Sequence, residues 1–98
     1  MFRKKIRPHS DEFRKTWFGA RSRKGFRIEL RRMYWIDYFD DRRNCSIFFE
    51  PMGLKHGLIV HTGDRRGFET IGPDETAEIL GNMRRALEFC LWEIDWMD

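Results

Sequence analysis

Residues 72–89 of this 98-residue chain, GPDETAEILGNMRRALEF, carry the signal that decides the fold. A proline directly after a glycine suits the first position of a helix, and the two acidic residues that follow favour the positive end of the helix dipole. Apolar side chains then recur at helical spacing, at Ile79, Leu80, Met83, Leu87 and Cys90. The pattern predicts one long helix that packs a single apolar face on another layer.

Segments in which apolar residues recur at every second position lie before and after this helix in the sequence. Alternation of apolar and polar residues, and short apolar runs bounded by polar ones, are typical of strands. The predicted strands are residues 26–31, 33–39, 45–50, 57–61, 68–71 and 92–97. Polar stretches at 40–44 and 62–67 predict turns between neighbouring strands.

The N-terminal quarter has a different pattern. Residues 10–19 begin with a serine and two acidic residues and end at a glycine, and Phe13 and Trp17 are four residues apart. Capping, charge and spacing predict a short helix there. The basic residues 20–25 that follow predict a loop.

These elements predict an α+β fold. An antiparallel sheet of about five or six strands packs on one long helix in the C-terminal half, with a short N-terminal helix beside it. The length suits one domain. We divide the chain into a basic N-terminal segment, residues 1–24, and a single α+β domain, residues 25–98.

Charge is unevenly distributed along the chain, although its net value is only +3. Residues 1–32 contain 12 Lys and Arg against 3 Asp and Glu, whereas residues 33–98 contain 7 against 13. A basic segment of this kind contacts a polyanion, lies on the acidic body of its own chain, or docks on a second copy. Composition leaves these three alternatives open.

Composition and motifs also exclude several classes. No apolar run approaches the roughly 18 residues of a membrane helix, and the basic N-terminus lacks the apolar stretch of a secretion signal. Cys45 and Cys90 have no partner at metal-ligand spacing. We therefore expect a cytoplasmic protein without membrane contact, in which both cysteines are reduced core residues.

Candidate catalytic groups are few. Asp37, Asp40 and Asp41 come nearest to a cation site, but two arginines in the predicted turn compete for these carboxylates. His61 and Asp64 could act as a base with an orienting carboxylate, but no nucleophile occupies a recognisable position near them. We expect no enzyme activity, no catalytic residue, no metal and no cofactor.

The surplus of aromatic residues points to an interface. Aromatic side chains make up 15 % of the chain, and one helix cannot cover both faces of the predicted sheet. Exposed aromatic and arginine side chains are the usual anchors of protein–protein interfaces. The candidate interface residues are Trp35, Phe39, Phe48 and Trp92. Because large apolar patches are rare on monomers, we also expect a homo-oligomer, most simply a dimer.

Nucleic-acid binding is the alternative function. The N-terminal segment combines cations, which neutralise phosphates, with aromatic side chains on which bases stack. The candidate residues are Arg3, Lys4, Lys5, Arg7, Arg14, Lys15, Trp17, Arg21, Arg23 and Lys24. In the competing interpretation the aromatic residues anchor this segment on the sheet while the charges stay in water.

Three stretches from residue 34 onward resemble one group of small immunity proteins of bacterial polymorphic-toxin systems. They are YWIDY at residues 34–38, PDETAEILGNMRRAL at 73–87, and the alternating Trp92, Ile94 and Trp96. The resemblance implies a non-enzymatic protein that binds a cognate toxin and blocks it. The arginine-rich first 32 residues have no counterpart in that group, and the net positive charge departs from the acidic character expected of nuclease inhibitors.

Overall fold

The computed structural model describes residues 11–52, 57–90 and 92–97 as one sheet with one helix. Seven strands lie side by side in chain order, in a sheet that curls into a half-barrel. They are β1 (Phe13–Lys15), β2 (Gly19–Ser22), β3 (Phe26–Glu29), β4 (Trp35–Asp40), β5 (Asn44–Pro51), β6 (Gly57–Arg66) and β7 (Glu93–Met97). Helix α1 (Pro73–Phe89) connects β6 to β7. All neighbouring strands are antiparallel except β6 and β7, which run parallel because α1 carries the chain back before β7 begins.

The long helix is confirmed where the sequence predicts it. α1 begins at its proline, and the Thr76 N–H donates to the Gly72 carbonyl at 2.9 Å. Both acidic residues after the proline lie in the first turn. The helix buries Ile79, Met83, Ala86 and Leu87.

The core lies between α1 and one face of the sheet, which we call the inner face. Its most buried strand residues are Ala20, Ile28, Ile36, Tyr38, Ile47, Leu58 and Val60. Full burial of an aliphatic side chain of this size contributes about 1.5–3 kcal/mol, so this layer holds the sheet on the helix. On the opposite face, which we call the outer face, no helix or strand of the described ranges is packed.

The predicted N-terminal helix over residues 10–19 is wrong. The described part of this stretch forms β1, a tight turn and the start of β2. Phe13 packs against Phe26 and Phe89, with ring centroids 5.9 and 5.5 Å apart, whereas Trp17 is 90 % exposed at the turn. A helix of this length is marginal in water, whereas the hairpin packs the partly buried Phe13 against the aromatic part of the core.

The sheet is larger than the predicted five or six strands, and three local predictions fail with it. Residues 20–22, predicted as part of a loop, belong to β2. Residues 62–66 lie in β6 instead of the predicted turn, and residues 68–71, predicted as a strand, form a turn. The hairpin that the sequence predicts around the turn at residues 40–44 is present, because β4 and β5 pair antiparallel.

A bulge in β6 explains the misplaced turn. Phe48 pairs with His61, whereas the preceding Ile47 pairs with Arg65. Residues 62–64 are therefore extra residues on β6, opposite no residue of β5. A polar stretch with a glycine predicts a turn by composition, but here it is carried inside a strand.

The proposed division at residue 24 stays a prediction. β1 and β2, which lie in the proposed N-terminal segment, pair within the same sheet as the rest of the chain. The Glu12 carboxylate also accepts hydrogen bonds from Ser22 Oγ (3.0 Å) and from Arg85 Nη2 of α1 (3.1 Å). Burial raises the pKa of Glu12, but these hydrogen bonds outweigh it and lower the pKa below its ordinary value.

Removal of residues 1–24 tests the division. The division predicts that residues 25–98 unfold cooperatively by themselves. The strand pairing leads us to expect the opposite, because loss of β2 uncovers Ile28 and leaves the edge of β3 unpaired. Urea titration followed by near-UV and far-UV circular dichroism measures this. A sharp transition at a midpoint similar to that of the full chain would show that residues 25–98 form an independent domain.

Gly19 allows β2 to approach β3 closely. A Cβ at this position would lie 2.1 Å from the Ile28 carbonyl oxygen. Gly19→Ala should therefore destabilise the protein by roughly 1–3 kcal/mol in urea unfolding. Gly63→Ala is the matched control, since a Cβ there meets nothing within 4 Å, and Gly81→Ala within α1 should stabilise by about 1 kcal/mol. The close-approach argument fails if Gly19→Ala unfolds at the wild-type urea midpoint.

Candidate binding face of the sheet

A row of aromatic side chains crosses the outer face. The strand register places Trp35 opposite Phe48 and Phe48 opposite His61. The ring centroids of these neighbours are 5.8 and 5.5 Å apart. We call these three residues the aromatic row. Tyr34 extends it, with its ring centroid 6.2 Å from that of Phe48.

Tyr34 reaches the aromatic row through an unusual backbone conformation. Its φ of +69° lies in the left-handed region, which residues other than glycine adopt rarely. The Tyr34 carbonyl accepts a hydrogen bond from the Phe49 N–H at 2.9 Å, which ties this conformation to β5. Unfavourable backbone angles of this kind persist where the surrounding structure enforces them, and they cluster at functional sites.

Arginine side chains stack on the exposed rings. The guanidinium carbon of Arg66 lies 4.3 Å from the ring centroid of Trp35, and that of Arg27 lies 4.3 Å from the ring centroid of Phe39. The guanidinium carbon of Arg32 lies farther from the Trp35 ring centroid, at 5.9 Å. Such contacts contribute about 0.5–1 kcal/mol at exposed sites. They orient rings and cations together while both remain accessible.

A buried carboxylate positions one of these arginines. Asp37 lies on β4 between the outward-facing Trp35 and Phe39, and its two oxygens accept hydrogen bonds from the Arg32 guanidinium. Ser46 Oγ donates to Asp37 at 2.7 Å and accepts from Arg32 at 3.0 Å. A buried charge requires this degree of pairing. Asp37 therefore serves to hold Arg32 beside the aromatic row.

A second row on the outer face consists of arginines. The register places Arg14 opposite Arg21 and Arg21 opposite Arg27, on β1, β2 and β3. We call these three residues the arginine row, and Phe39 is the next residue along the same line on β4. Arg27 approaches Glu29 at 3.6 Å. Within the described residues, Arg14 and Arg21 have no acidic side chain within 4.0 Å.

The structure brings together three of the four predicted interface residues. Trp35, Phe39 and Phe48 all lie on the outer face, each partly exposed. Trp92 is separate from them, because it packs against the buried core together with Ile94 and Trp96 of the last strand. That these residues form an interface stays a prediction.

The residues predicted for nucleic-acid binding are divided among several places. Arg3, Lys4, Lys5 and Arg7 lie outside the described residues. Arg14 and Arg21 belong to the arginine row. The others lie at the end of β1 or in the turns on either side of β2: Lys15, Trp17, Arg23 and Lys24.

Sequence reasoning missed several residues of the outer face. The alternation of residues 26–31 could have identified Arg27, because it places Arg27 on the other face of the strand from the buried Phe26 and Ile28. Its alignment with Arg21 depends on strand register. No local sequence pattern identifies Arg66 as a residue of this face, because its pairing with Ser46 depends on the bulge in β6.

Other candidate chemical groups make structural contacts. His61 Nε2 lies 2.7 Å from Glu50 Oε1, so the carboxylate beside this ring is that of Glu50 and not that of the predicted Asp64. Cys45 and Cys90 are both buried, as predicted, and burial raises the pKa of the Cys45 thiol to about 11. In residues 11–52, 57–90 and 92–97, no group of three or more His, Cys, Asp or Glu side chains could hold a metal ion.

Comparisons of the chain with family models, with curated proteins and with solved structures find no match. No helix in the described part of the chain is both long and apolar enough to cross a membrane. The geometry of the outer face therefore carries the functional inference.

The turn between β4 and β5 depends on Asp40. Its Oδ1 accepts hydrogen bonds from the backbone N–H groups of Arg42 (2.8 Å) and Arg43 (2.7 Å), and its Oδ2 accepts one from Arg43 Nε at 3.0 Å. Burial raises the pKa of Asp40, but these hydrogen bonds outweigh it and lower the pKa below its ordinary value. The turn joins the two strands that carry Trp35 and Phe48, so it supports their register.

Loss of the Asp40 carboxylate should weaken the fold in a pH-dependent way. Asp40→Ala removes the acceptor of the turn and should cost roughly 1–3 kcal/mol at neutral pH. Because the folded-state pKa is lowered, the stabilisation is present above the unfolded-state pKa and disappears as the pH falls through the folded-state pKa. Thermal melts from neutral to strongly acid pH should therefore show a smaller acid-induced loss for Asp40→Asn than for wild type. Asp41→Asn, at the exposed neighbour, should behave as wild type; identical acid sensitivity in Asp40→Asn would contradict the assignment.

Proposed function

We propose that this protein is a non-catalytic binding protein that recognises another protein with the outer face of its sheet. One observation carries the proposal. Three large, partly exposed rings, those of Trp35, Phe39 and Phe48, lie on a sheet face that no helix or strand of the described ranges covers. Two of them are stacked against arginines.

The side chains on this face have the chemistry of interface anchors. Aromatic residues and arginine are enriched among the residues that dominate binding energy at interfaces. The rings lie on paired strands, and Phe48 contacts the rings on both sides of it. Side chains that are already restrained lose little freedom on binding, which favours affinity.

The arginines on this face indicate the charge of the partner's binding surface. Arg27, Arg32 and Arg66 lie against the exposed rings. A partner with an apolar centre and acidic groups around it would complement this arrangement, and the charges would also accelerate association. The protein therefore suits a partner with an acidic binding surface.

We further propose that the partner is a toxin that this chain blocks in the bacterial cytoplasm. The support is the resemblance of residues 34–38 and 73–87 to small immunity proteins. The first of these stretches contains Tyr34 and Trp35, so the resembling sequence supplies rings on the outer face. The second forms most of the helix that holds the sheet.

Truncation of the aromatic row should weaken partner binding. Trp35→Ala and Phe48→Ala should each weaken the affinity about 30-fold, which corresponds to about 2 kcal/mol for an interface hot spot. The partner is first isolated by cross-linking the full-length tagged chain in its native cells and is then produced separately. Calorimetry with the two pure proteins gives the dissociation constants.

Trp17→Ala is the matched control for this experiment, because it removes an equally large exposed ring at the β1–β2 turn. Circular dichroism and thermal melts establish that each variant is folded. Wild-type affinity in both row variants would eliminate the outer face as the binding site. A wild-type dimer in sedimentation that becomes monomeric in Trp35→Ala would show that a second copy of the chain occupies the face instead.

A further inference from the structure

The arginine row combines three like charges in a single cross-strand line. Arg14 faces Arg21, and Arg21 faces Arg27. Like charges directly opposite each other destabilise a sheet. Arg14 and Arg21 gain no compensating ion pair from the described residues, and Arg27 has only the partly exposed Glu29 at 3.6 Å. The row is thus a local cost to the fold that a polyanionic ligand would relieve.

The spacing of the row suits a chain of phosphates. Neighbouring strands lie about 4.7–4.9 Å apart, so three arginines on β1, β2 and β3 cover a continuous line across the strands. A nucleic-acid backbone crossing the strands would meet one guanidinium after another.

The line ends at a ring. Phe39 lies opposite Arg27 on β4, and the Arg27 guanidinium carbon is 4.3 Å from its ring centroid. Single-stranded nucleic acids bind where a positive groove follows the backbone and aromatic side chains stack with bases. Cations in line with an aromatic ring reproduce both features on this face.

We propose that the arginine row and Phe39 form a binding site for single-stranded nucleic acid. The phosphates lie along Arg14, Arg21 and Arg27, and one base stacks on Phe39. Sequence preference is low, because the arginines meet phosphates and the ring accepts any base. The site contains no residue of the aromatic row. It shares Arg27 and Phe39 with the face proposed to bind a protein, but it does not depend on that function.

Nucleic acid fits this part of the face better than an acidic protein does. A protein interface needs an apolar centre that excludes water. The arginine row has no large apolar side chain between its members, since each arginine directly faces the next. The large rings begin only at Phe39 and continue toward the aromatic row.

Fluorescence anisotropy of the full chain with a labelled oligo(dT) of about 15 nucleotides tests the site. If all three arginines meet phosphates, a plot of the logarithm of the affinity against the logarithm of the salt concentration should have a slope of about −2 or steeper. The double variant R14Q/R21Q should make this slope shallower by about 1.4. The matched control R42Q/R84Q removes the same charge from a turn and from α1 and should leave the wild-type slope nearly unchanged.

Phe39→Leu separates stacking from charge. It should lower the affinity for oligo(dT) about fivefold at constant salt slope, and it should have no effect on an abasic oligomer of the same length. Equal slopes for R14Q/R21Q and R42Q/R84Q, or no binding at low salt, would overturn the site. Equally tight binding of poly-glutamate, with no effect of Phe39→Leu on either ligand, would assign the row to an acidic protein and also overturn it. The variant W35A/F48A should retain oligo(dT) binding, so this site and the proposed protein-binding function fail or succeed separately.

Discussion

The burial of one face of the sheet against α1 is the constraint on which the rest of the structure depends. Ile28, Ile36 and Ile47 are fully buried on three adjacent strands, as are Met83 and Leu87 on the helix. Strand side chains alternate between faces, so this burial also determines which residues face outward. The packing of the core therefore determines which side chains form the outer face, even though those side chains contribute little to the core.

The outer face contains features that reduce stability locally. Tyr34 adopts a left-handed backbone conformation, and the three residues of the arginine row oppose like charges. Neither feature helps to form the core. Local departures from the rules of stable folds are expected at functional sites, where the rest of the structure supports them. Both departures occur on the same face, which supports the proposal that this face binds a partner.

The buried Asp37 divides this face into two parts. It holds Arg32 through two oxygens and accepts a hydrogen bond from Ser46. Trp35 and the aromatic row lie on one side of it along β4, and Phe39 and the arginine row lie on the other. Protein binding and nucleic-acid binding are thus proposed for neighbouring sets of side chains that share Arg27 and Phe39. Phe39 lies where the two sets meet, so Trp35 and Arg21 are the residues that distinguish them.

The sequence by itself determined the elements whose signals are local. The proline, acidic first turn and apolar spacing of α1 depend only on residues near one another in the chain, as does the alternation in β3, β4 and β7. Alternation in β4 also placed Trp35 and Phe39 on one face, whereas Phe48 was named only because of the surplus of aromatic residues. The sequence could not predict which side chains lie beside these rings. Tyr34 reaches them through its left-handed backbone conformation, Arg32 through its hydrogen bonds to Asp37, and Arg66 through the bulge in β6.

Only the tertiary structure decided the N-terminal hairpin, the length of β6 and the arginine row. Phe13 and Trp17 have helical spacing, but contacts with the distant Phe89 outweigh the weak helical preference of so short a segment. Residues 62–64 have the composition of a turn. They stay within a strand because the residues before and after them, His61 and Arg65, both pair with β5. The arginine row depends on the register of three strands, and register arises from core burial and turns throughout the sheet. No residue of the row carries that information in its own neighbourhood.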